Sequence, residues 1–86
     1  MIIEERYKRT QSALEMVAAE VDQAVAKHPP MHSSHEGYSV ILEELDELWD
    51  EVKKQTKDRS RDRMRLEAMQ VAAMAVRFMT DVCWDG

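Results

Sequence analysis

Glycine and proline, the residues that most often form turns, are almost absent from this sequence. Its 86 residues include two glycines and two prolines, and the prolines are adjacent, at Pro29 and Pro30. An all-β sandwich or barrel needs turn residues roughly every 8–12 positions, and two glycines cannot supply them. Since a chain of this length forms only one domain, the sequence predicts a single all-α domain over residues 1–86.

Hydrophobic residues recur at helical spacing in three segments separated by two short breaks. The Pro-Pro pair ends the first segment, because proline removes a backbone donor and disfavours helix in the residue before it. Serines that precede the second and third segments are candidate N-caps. The predicted helices cover about residues 4–27, 34–55 and 61–82. Since the second break is short, the second and third helices should pair antiparallel.

The third predicted helix is apolar nearly all round, with only Glu67, Gln70 and Arg77 strongly polar between Leu66 and Met79. Such a helix is normally buried on several sides. A chain of this size also forms only a marginal core by itself. We therefore expect an antiparallel three-helix chain that completes a four-helix-bundle core by homo-oligomerisation, as a dimer or tetramer.

Composition argues against several classes of protein. Twelve lysines and arginines against 17 acids give a net charge of -5, whereas general nucleic-acid binders present a net basic surface. The single cysteine, Cys83, excludes an internal disulfide framework and fits a reducing cytoplasm. Glu4 and Glu5 interrupt any signal-peptide core, and Glu67 interrupts the longest apolar segment. We expect a cytoplasmic protein with no nucleic-acid or membrane partner.

Acidic residues are concentrated in the second predicted helix, where six of the 17 lie between Glu43 and Glu51. Glu44, Glu47 and Glu51 form a ridge at i, i+3 and i+7 beside the apolar seam of that helix. Stacked like charges that face a neighbouring helix are destabilising unless a cation lies among them. An ordinary solvated acidic face is the alternative.

Glu67 is the one acid in the apolar part of the third helix. A carboxylate buried there needs a partner or a metal, and an ion pair with Arg63, four residues earlier, is the simplest partner. If the hairpin turns near Lys57, Glu47 and Glu67 stand level on the two helices. Glu44 and Gln70 are level in the same way. Four converging oxygen donors suit a hard divalent cation.

The same residues carry a resemblance to a known family. Glu43-Glu44-Leu45-Asp46-Glu47 and Glu67-Ala68-Met69-Gln70, joined by a helix-loop-helix spacer, resemble the EExxE and ExxD motifs of the all-α MazG-like nucleoside triphosphate pyrophosphohydrolases. The stretch from His35 to Trp49 is similar to small MazG-like proteins of phages and bacteria. The similarity covers roughly residues 13–82.

The resemblance implies a catalytic set of Glu43, Glu44, Glu47 and Glu67. Glu44, Glu47 and Glu67 would bind Mg²⁺, or Mn²⁺ in its place, with Gln70 as a weaker fourth ligand and Glu43 in support. The metal would hold the phosphates of a nucleoside triphosphate substrate while water attacks between the α and β phosphates. The products would be a nucleoside monophosphate and pyrophosphate.

The sequence departs from the family pattern at Gln70, where the family has Asp. A glutamine keeps a carbonyl oxygen but lacks the negative charge, which favours an alternative function as a catalytically weakened nucleotide-binding or helical oligomerisation module. The sequence ends at Gly86, before the family's usual fourth helix. We therefore expect neighbouring chains to supply the missing packing.

Three residues are candidates for substrate contact. Lys54 continues the acidic ridge and Arg63 lies on the side of Glu67, so both are placed to reach a metal-bound triphosphate. Intrahelical ion pairs, Asp50 with Lys54 and Arg63 with Glu67, are an equal alternative. His35, at the start of the second helix, is a candidate base contact, with hydrogen bonding at the helix terminus as its alternative.

Overall fold

The computed structural model describes residues 2–85, which form three α-helices and no strand. A single 3-10 turn, Thr56–Asp58, lies between the second and third helices. The helices are α1 (Ile3–Lys27), α2 (Ser34–Val52) and α3 (Arg61–Asp81). The predicted all-α class is confirmed over the described residues.

Serine caps define the starts of α2 and α3. The Ser33 hydroxyl accepts a hydrogen bond of 3.0 Å from the Glu36 N–H, and the Ser60 hydroxyl accepts one of 3.2 Å from the Arg63 N–H. These bonds satisfy backbone donors that the first turn of a helix leaves without a partner.

The predicted end of the second helix near residue 55 is wrong, because α2 ends at Val52. Arg59 Nη2 donates a hydrogen bond of 3.1 Å to the carbonyl of Lys54. This bond gives a partner to a carbonyl just past the helix end. It favours the tight turn over another turn of helix.

The central helix is α3, which packs against both α1 and α2, whereas α1 and α2 do not pack against each other. α2 runs antiparallel to α3, as expected for the hairpin, since Gly37 lies against Phe78 and Glu47 lies near Glu67. α1 runs parallel to α3. The chain is therefore an open layer of 43 × 32 × 19 Å, with a groove between α1 and α2 over α3.

The core of this open layer is small. The buried apolar residues are Ala24, Met31, Ala73 and Met74. The half-buried residues packed against them are Val17, Val21, Val40, Ile41, Phe78 and Val82. The expectation that the third helix is buried on several sides holds only in part, because Leu66 and Met79 on α3 are exposed.

Large apolar side chains also remain exposed on α2. Tyr38, Leu42, Leu45 and Trp49 repeat at i, i+4, i+7 and i+11, and Tyr38 and Trp49 are 64% and 58% exposed. This spacing places all four on one helix face. A membrane-spanning helix would need a longer apolar stretch than any helix in residues 2–85 contains.

Gly37, in the first turn of α2, allows a close approach to α3. A Cβ at this position would lie 2.5 Å from Cδ2 of Phe78 and 3.1 Å from Sδ of Met31. The glycine weakens the helix slightly, but it lets the Phe78 ring pack directly on the α2 backbone. This contact holds the open end of the hairpin together.

Candidate functional site

Three carboxylates from the two arms of the hairpin converge at one point. Glu44 and Glu47 lie one turn apart on α2, and Glu67 faces them from α3. One oxygen from each residue lies within 4.8 Å of the others. The three residues are named the carboxylate cluster below. The hairpin register predicts that four residues lie close together: Glu44, Glu47, Glu67 and Gln70. The structure brings the three glutamates of this set together.

Glu47 is the central member of the carboxylate cluster, since its charge acts on both Glu44 and Glu67. Burial, followed by the charge of Glu47, raises the pKa of Glu44 from 4.5 to about 7. The same two causes raise the pKa of Glu67.

No basic side chain within residues 2–85 forms an ion pair with the carboxylate cluster. The expected alternative, an ion pair between Glu67 and Arg63, is therefore wrong. Arg63 is exposed on the first turn of α3, and its backbone N–H bonds to the Ser60 cap. The cluster consequently carries an uncompensated negative charge, which favours either protons or a cation.

The donor set fits a hard divalent cation. Mg²⁺ takes oxygen ligands at about 2.0–2.1 Å, so two of its ligands lie at most about 4.2 Å apart. Small side-chain rotations bring oxygens separated by up to 4.8 Å into that range. Mn²⁺ accepts the same carboxylate ligands. Glu43, the neighbour of Glu44 on α2, is exposed, and its charge adds to the rise in the Glu44 pKa.

Gln70 is engaged with α1 and lies outside the carboxylate cluster. Its Nε2 donates a hydrogen bond of 2.9 Å to Oε1 of Glu20. The amide nitrogen of Gln70 is thus bound to Glu20. Glu20 on α1 thus brings a further carboxylate to Gln70, which lies one turn after Glu67 on α3. The sequence-based prediction did not include Glu20.

A cavity of about 420 Å³ fills the groove between α1 and α2. Glu44 belongs both to its lining and to the carboxylate cluster. Glu20 and Gln70 also line the acidic end of the cavity. The other end is lined by Lys27, His28, Pro29, Met31, Met74 and Arg77. The volume falls in the range of small-molecule sites.

Arg77 lies at the far end of the cavity and is only 6% exposed. Its Nη2 donates a hydrogen bond of 2.9 Å to the carbonyl of Pro29, and its Nε lies 3.8 Å from Oδ2 of Asp81. The same Asp81 oxygen accepts a bond of 3.1 Å from the Met31 N–H. Arg77 therefore fixes the α1–α2 connection while presenting a buried cation to the cavity.

The structure places the three expected substrate contacts away from this cavity. His35 lines a separate shallow depression with Tyr38 and Phe78, because Glu36, Val40 and Glu44 take the cavity-facing positions of α2. His35 therefore lies outside the lining of the cavity that Glu44 joins. Lys54 Nζ lies 2.9 Å from Glu51, and Arg63 is exposed at the start of α3. The expected pairing of Lys54 with Asp50 is also wrong, since Asp50 pairs with Lys53.

The sequence contains a signal for Arg77. Glu67, Gln70 and Arg77, the only strongly polar residues of the apolar α3 segment, are spaced by three and seven positions. This spacing places them on one helix face. No comparable signal identifies Glu20, because its role depends on which face of α3 receives α1.

Comparison with known proteins gives no match: no family model fits the sequence, and no curated protein and no solved structure is significantly similar to it.

Proposed function

We propose that this chain is a Mg²⁺-dependent nucleotide pyrophosphohydrolase of the MazG-like kind, which cleaves a (d)NTP to a (d)NMP and pyrophosphate. One observation carries the proposal: Glu44, Glu47 and Glu67 converge within 4.8 Å without a basic partner among the described residues. The adjoining cavity of about 420 Å³ gives a nucleotide somewhere to bind. The resemblance of the two acidic motifs to this family implies the same three residues as metal ligands.

Each residue has a distinct part in the proposed reaction. Glu44, Glu47 and Glu67 would hold the cation, Mg²⁺ or Mn²⁺. When bound, that ion neutralises phosphate charge and lowers the pKa of a coordinated water. Glu43 is adjacent and exposed, so a carboxylate outside the metal's ligand set is available to accept the water's proton. Gln70 lines the same end of the cavity and would be a weaker fourth ligand.

We also propose that the chain works as a homo-oligomer, a dimer or tetramer that completes a four-helix bundle. The exposed stripe of Tyr38, Leu42, Leu45 and Trp49 supports this assembly. A contiguous apolar stripe of this kind commonly marks a protein interface. A second copy packed on α2 would remove the stripe from water and leave the α1–α2 groove open.

Pyrophosphate release by purified protein tests the activity. The chain is incubated with a panel of (d)NTPs and Mg²⁺, beside Glu47→Gln and the control Asp46→Asn, which removes a charge from an exposed position of the same helix. We expect release by wild type and Asp46→Asn, and at least a hundredfold loss in Glu47→Gln. Equal rates in all three, or no release by wild type, would exclude the proposed reaction.

A second function is favoured by the bond between Gln70 and Glu20. Because Gln70 supplies an amide where the family has a charge, the chain can bind a metal-nucleotide complex with reduced turnover. It would then serve as a nucleotide-binding module. Nucleotide binding without pyrophosphate release, and with release gained in Gln70→Asp, supports this function over the first.

A further inference from the structure

Arg77 is a buried cation with spare hydrogen-bonding capacity. A guanidinium carries five N–H donors. Among the described residues, only Nη2 to the Pro29 carbonyl and Nη1 to the Met74 sulfur form hydrogen bonds. Its Nε is buried 3.8 Å from the Asp81 carboxylate and is closed to the cavity. Each terminal nitrogen keeps a second N–H for which no hydrogen bond to the described residues is formed, so a ligand acceptor at this end of the cavity would stabilise the site.

The walls beside Arg77 are apolar. Met31 and Met74 are buried, and the half-buried side chain of Val40 faces them from α2. Thioether side chains pack well on flat aromatic rings. An apolar slot that ends in a planar donor fits a flat heterocycle with acceptors on one edge.

The length of the cavity fits a nucleotide. Seven residues separate Gln70 from Arg77 on α3, a rise of about 10 Å. With phosphates held at the Glu44 end, the far edge of the base reaches the level of Arg77. The acidic end and the Arg77 end thus correspond to the two ends of one nucleotide.

The charges around Arg77 argue against a second phosphate there. Asp81 lies 3.8 Å from Nε and already balances the guanidinium. Glu36 lines the same cavity, and its carboxylate accepts a hydrogen bond from the His32 N–H. A phosphate would be repelled by both carboxylates, whereas a neutral carbonyl or ring nitrogen would not.

We propose that Arg77 is a base-recognition residue and that the cavity prefers guanine over adenine. Guanine presents O6 and N7 side by side, the pair that a guanidinium fork binds with two hydrogen bonds. Adenine places an amino donor where guanine has O6, and this donor faces the Arg77 donors. The inference rests on the proposed function for the orientation of the nucleotide.

The test measures binding of nucleoside monophosphates, which the proposed reaction does not cleave, so it does not depend on turnover. Titration calorimetry in Mg²⁺ compares GMP with AMP and with 7-deaza-GMP, which lacks N7. We expect GMP to bind about tenfold more tightly than either competitor, because each loses a hydrogen bond to a charged donor. The 7-deaza comparison alters the ligand alone and leaves the protein intact.

Two matched variants separate recognition from folding. Arg77→Lys keeps the charge but removes the fork, and it should reduce the preference for GMP over AMP to about twofold or less. Arg65→Lys, at an exposed arginine of the same helix, should leave the preference unchanged. If Arg77→Lys does not fold, the 7-deaza comparison on wild type decides alone.

The possible failures are distinguishable. Equal binding of GMP, AMP and 7-deaza-GMP overturns base recognition even where pyrophosphate release is intact. Competition of inorganic pyrophosphate with guanosine in EDTA overturns it as well, because guanosine has no phosphate and Arg77 would then bind pyrophosphate. A preference for GMP in a chain that releases no pyrophosphate overturns the proposed reaction and retains the base site.

Discussion

Gln70 on α3 donates a hydrogen bond of 2.9 Å to Glu20 on α1, one turn away from Glu67. The amide therefore links the two parallel helices beside the carboxylate cluster without adding another negative charge. An aspartate at this position would face Glu20 directly. The residue at position 70 thus couples the packing of α1 to the charge of the candidate metal site.

Replacement of Gln70 by aspartate should make the fold depend on a divalent cation. Gln70→Asp loses the bond to Glu20 and adds a like charge, a cost of about 1–3 kcal/mol without metal. We expect a lower metal-free Tm and a larger rise on addition of Mg²⁺ or Mn²⁺ than in wild type. Thermal melts in EDTA and in metal measure both, with Gln11→Asp, at an exposed position of α1, as control. Identical melts for Gln70→Asp and Gln11→Asp would contradict this coupling.

Removal of one charge from the carboxylate cluster should stabilise the metal-free chain. Glu67→Gln keeps the shape of the side chain and relieves repulsion by Glu47 and Glu51, the charges that raise the pKa of Glu67. We expect the metal-free Tm at pH 8 to rise by about 4–8 °C, the shift that about 1 kcal/mol produces in a domain of this size.

The same Glu67→Gln variant should lose most of its response to metal. Asp46→Asn is the control, since Asp46 is an exposed acid of α2 outside the carboxylate cluster. It should match wild type in Tm and in the rise caused by Mn²⁺. A Glu67→Gln chain that is less stable than wild type, yet shows the full rise in Mn²⁺, would rule out the metal site.

The stability of the metal-free chain should fall as the pH rises from about 4.5 to about 7. Burial and the charge of Glu47 raise the pKa of Glu44 from 4.5 to about 7, so the folded chain binds more protons than the unfolded chain between these values. The stabilisation that the proton on Glu44 provides is fully present below pH 4.5, the pKa of Glu44 in the unfolded chain. It is lost as the pH rises through about 7, its pKa in the folded chain.

Urea unfolding at intervals from pH 5 to pH 8 measures this slope. Mg²⁺ should flatten the slope, because the cation replaces the proton, and Glu44→Gln should flatten it without metal. A wild-type chain that becomes more stable from pH 5 to pH 8 in EDTA would show that these carboxyl groups are not perturbed.

That Glu47 on α2 lies opposite Glu67 on α3 was predictable, because a short turn and a fixed rise per residue allow few ways to align two antiparallel helices. The position of α1 was not, since its apolar positions fit more than one face of α3. The face observed packs Val17, Val21 and Ala24 on the core and brings Glu20 to Gln70. His35 lies outside the lining of the cavity for a related reason. A change of one residue rotates a side chain by about 100° on a helix, and the cavity lies on the side of Glu36.

Alanine at Gly37 should destabilise the chain, although alanine favours helix by about 1 kcal/mol over glycine. The added Cβ would lie 2.5 Å from the Phe78 ring and 3.1 Å from the Met31 sulfur, so one of the two must move. Overpacking of this kind costs about 1–3 kcal/mol. Urea unfolding should show a lower midpoint for Gly37→Ala and a higher one for Ser39→Ala, at an exposed position of the same helix. A gain in stability for both would mean that Phe78 does not pack on α2.

The exposed stripe on α2 should hold the chain in an oligomer. Trp49 lies at its end and is 58% exposed, whereas Trp84, 69% exposed, lies beyond α3 and outside the stripe. A charge at Trp49 would have to be buried in the assembled interface, which is costly. Sedimentation at micromolar concentration should show a dimer or tetramer for wild type and for Trp84→Glu. Trp49→Glu should shift toward monomer and melt at a lower temperature, because the small core of Ala24, Met31, Ala73 and Met74 would then stand alone. A wild-type monomer that stays folded would mean that this core suffices and that α2 packs on no second copy.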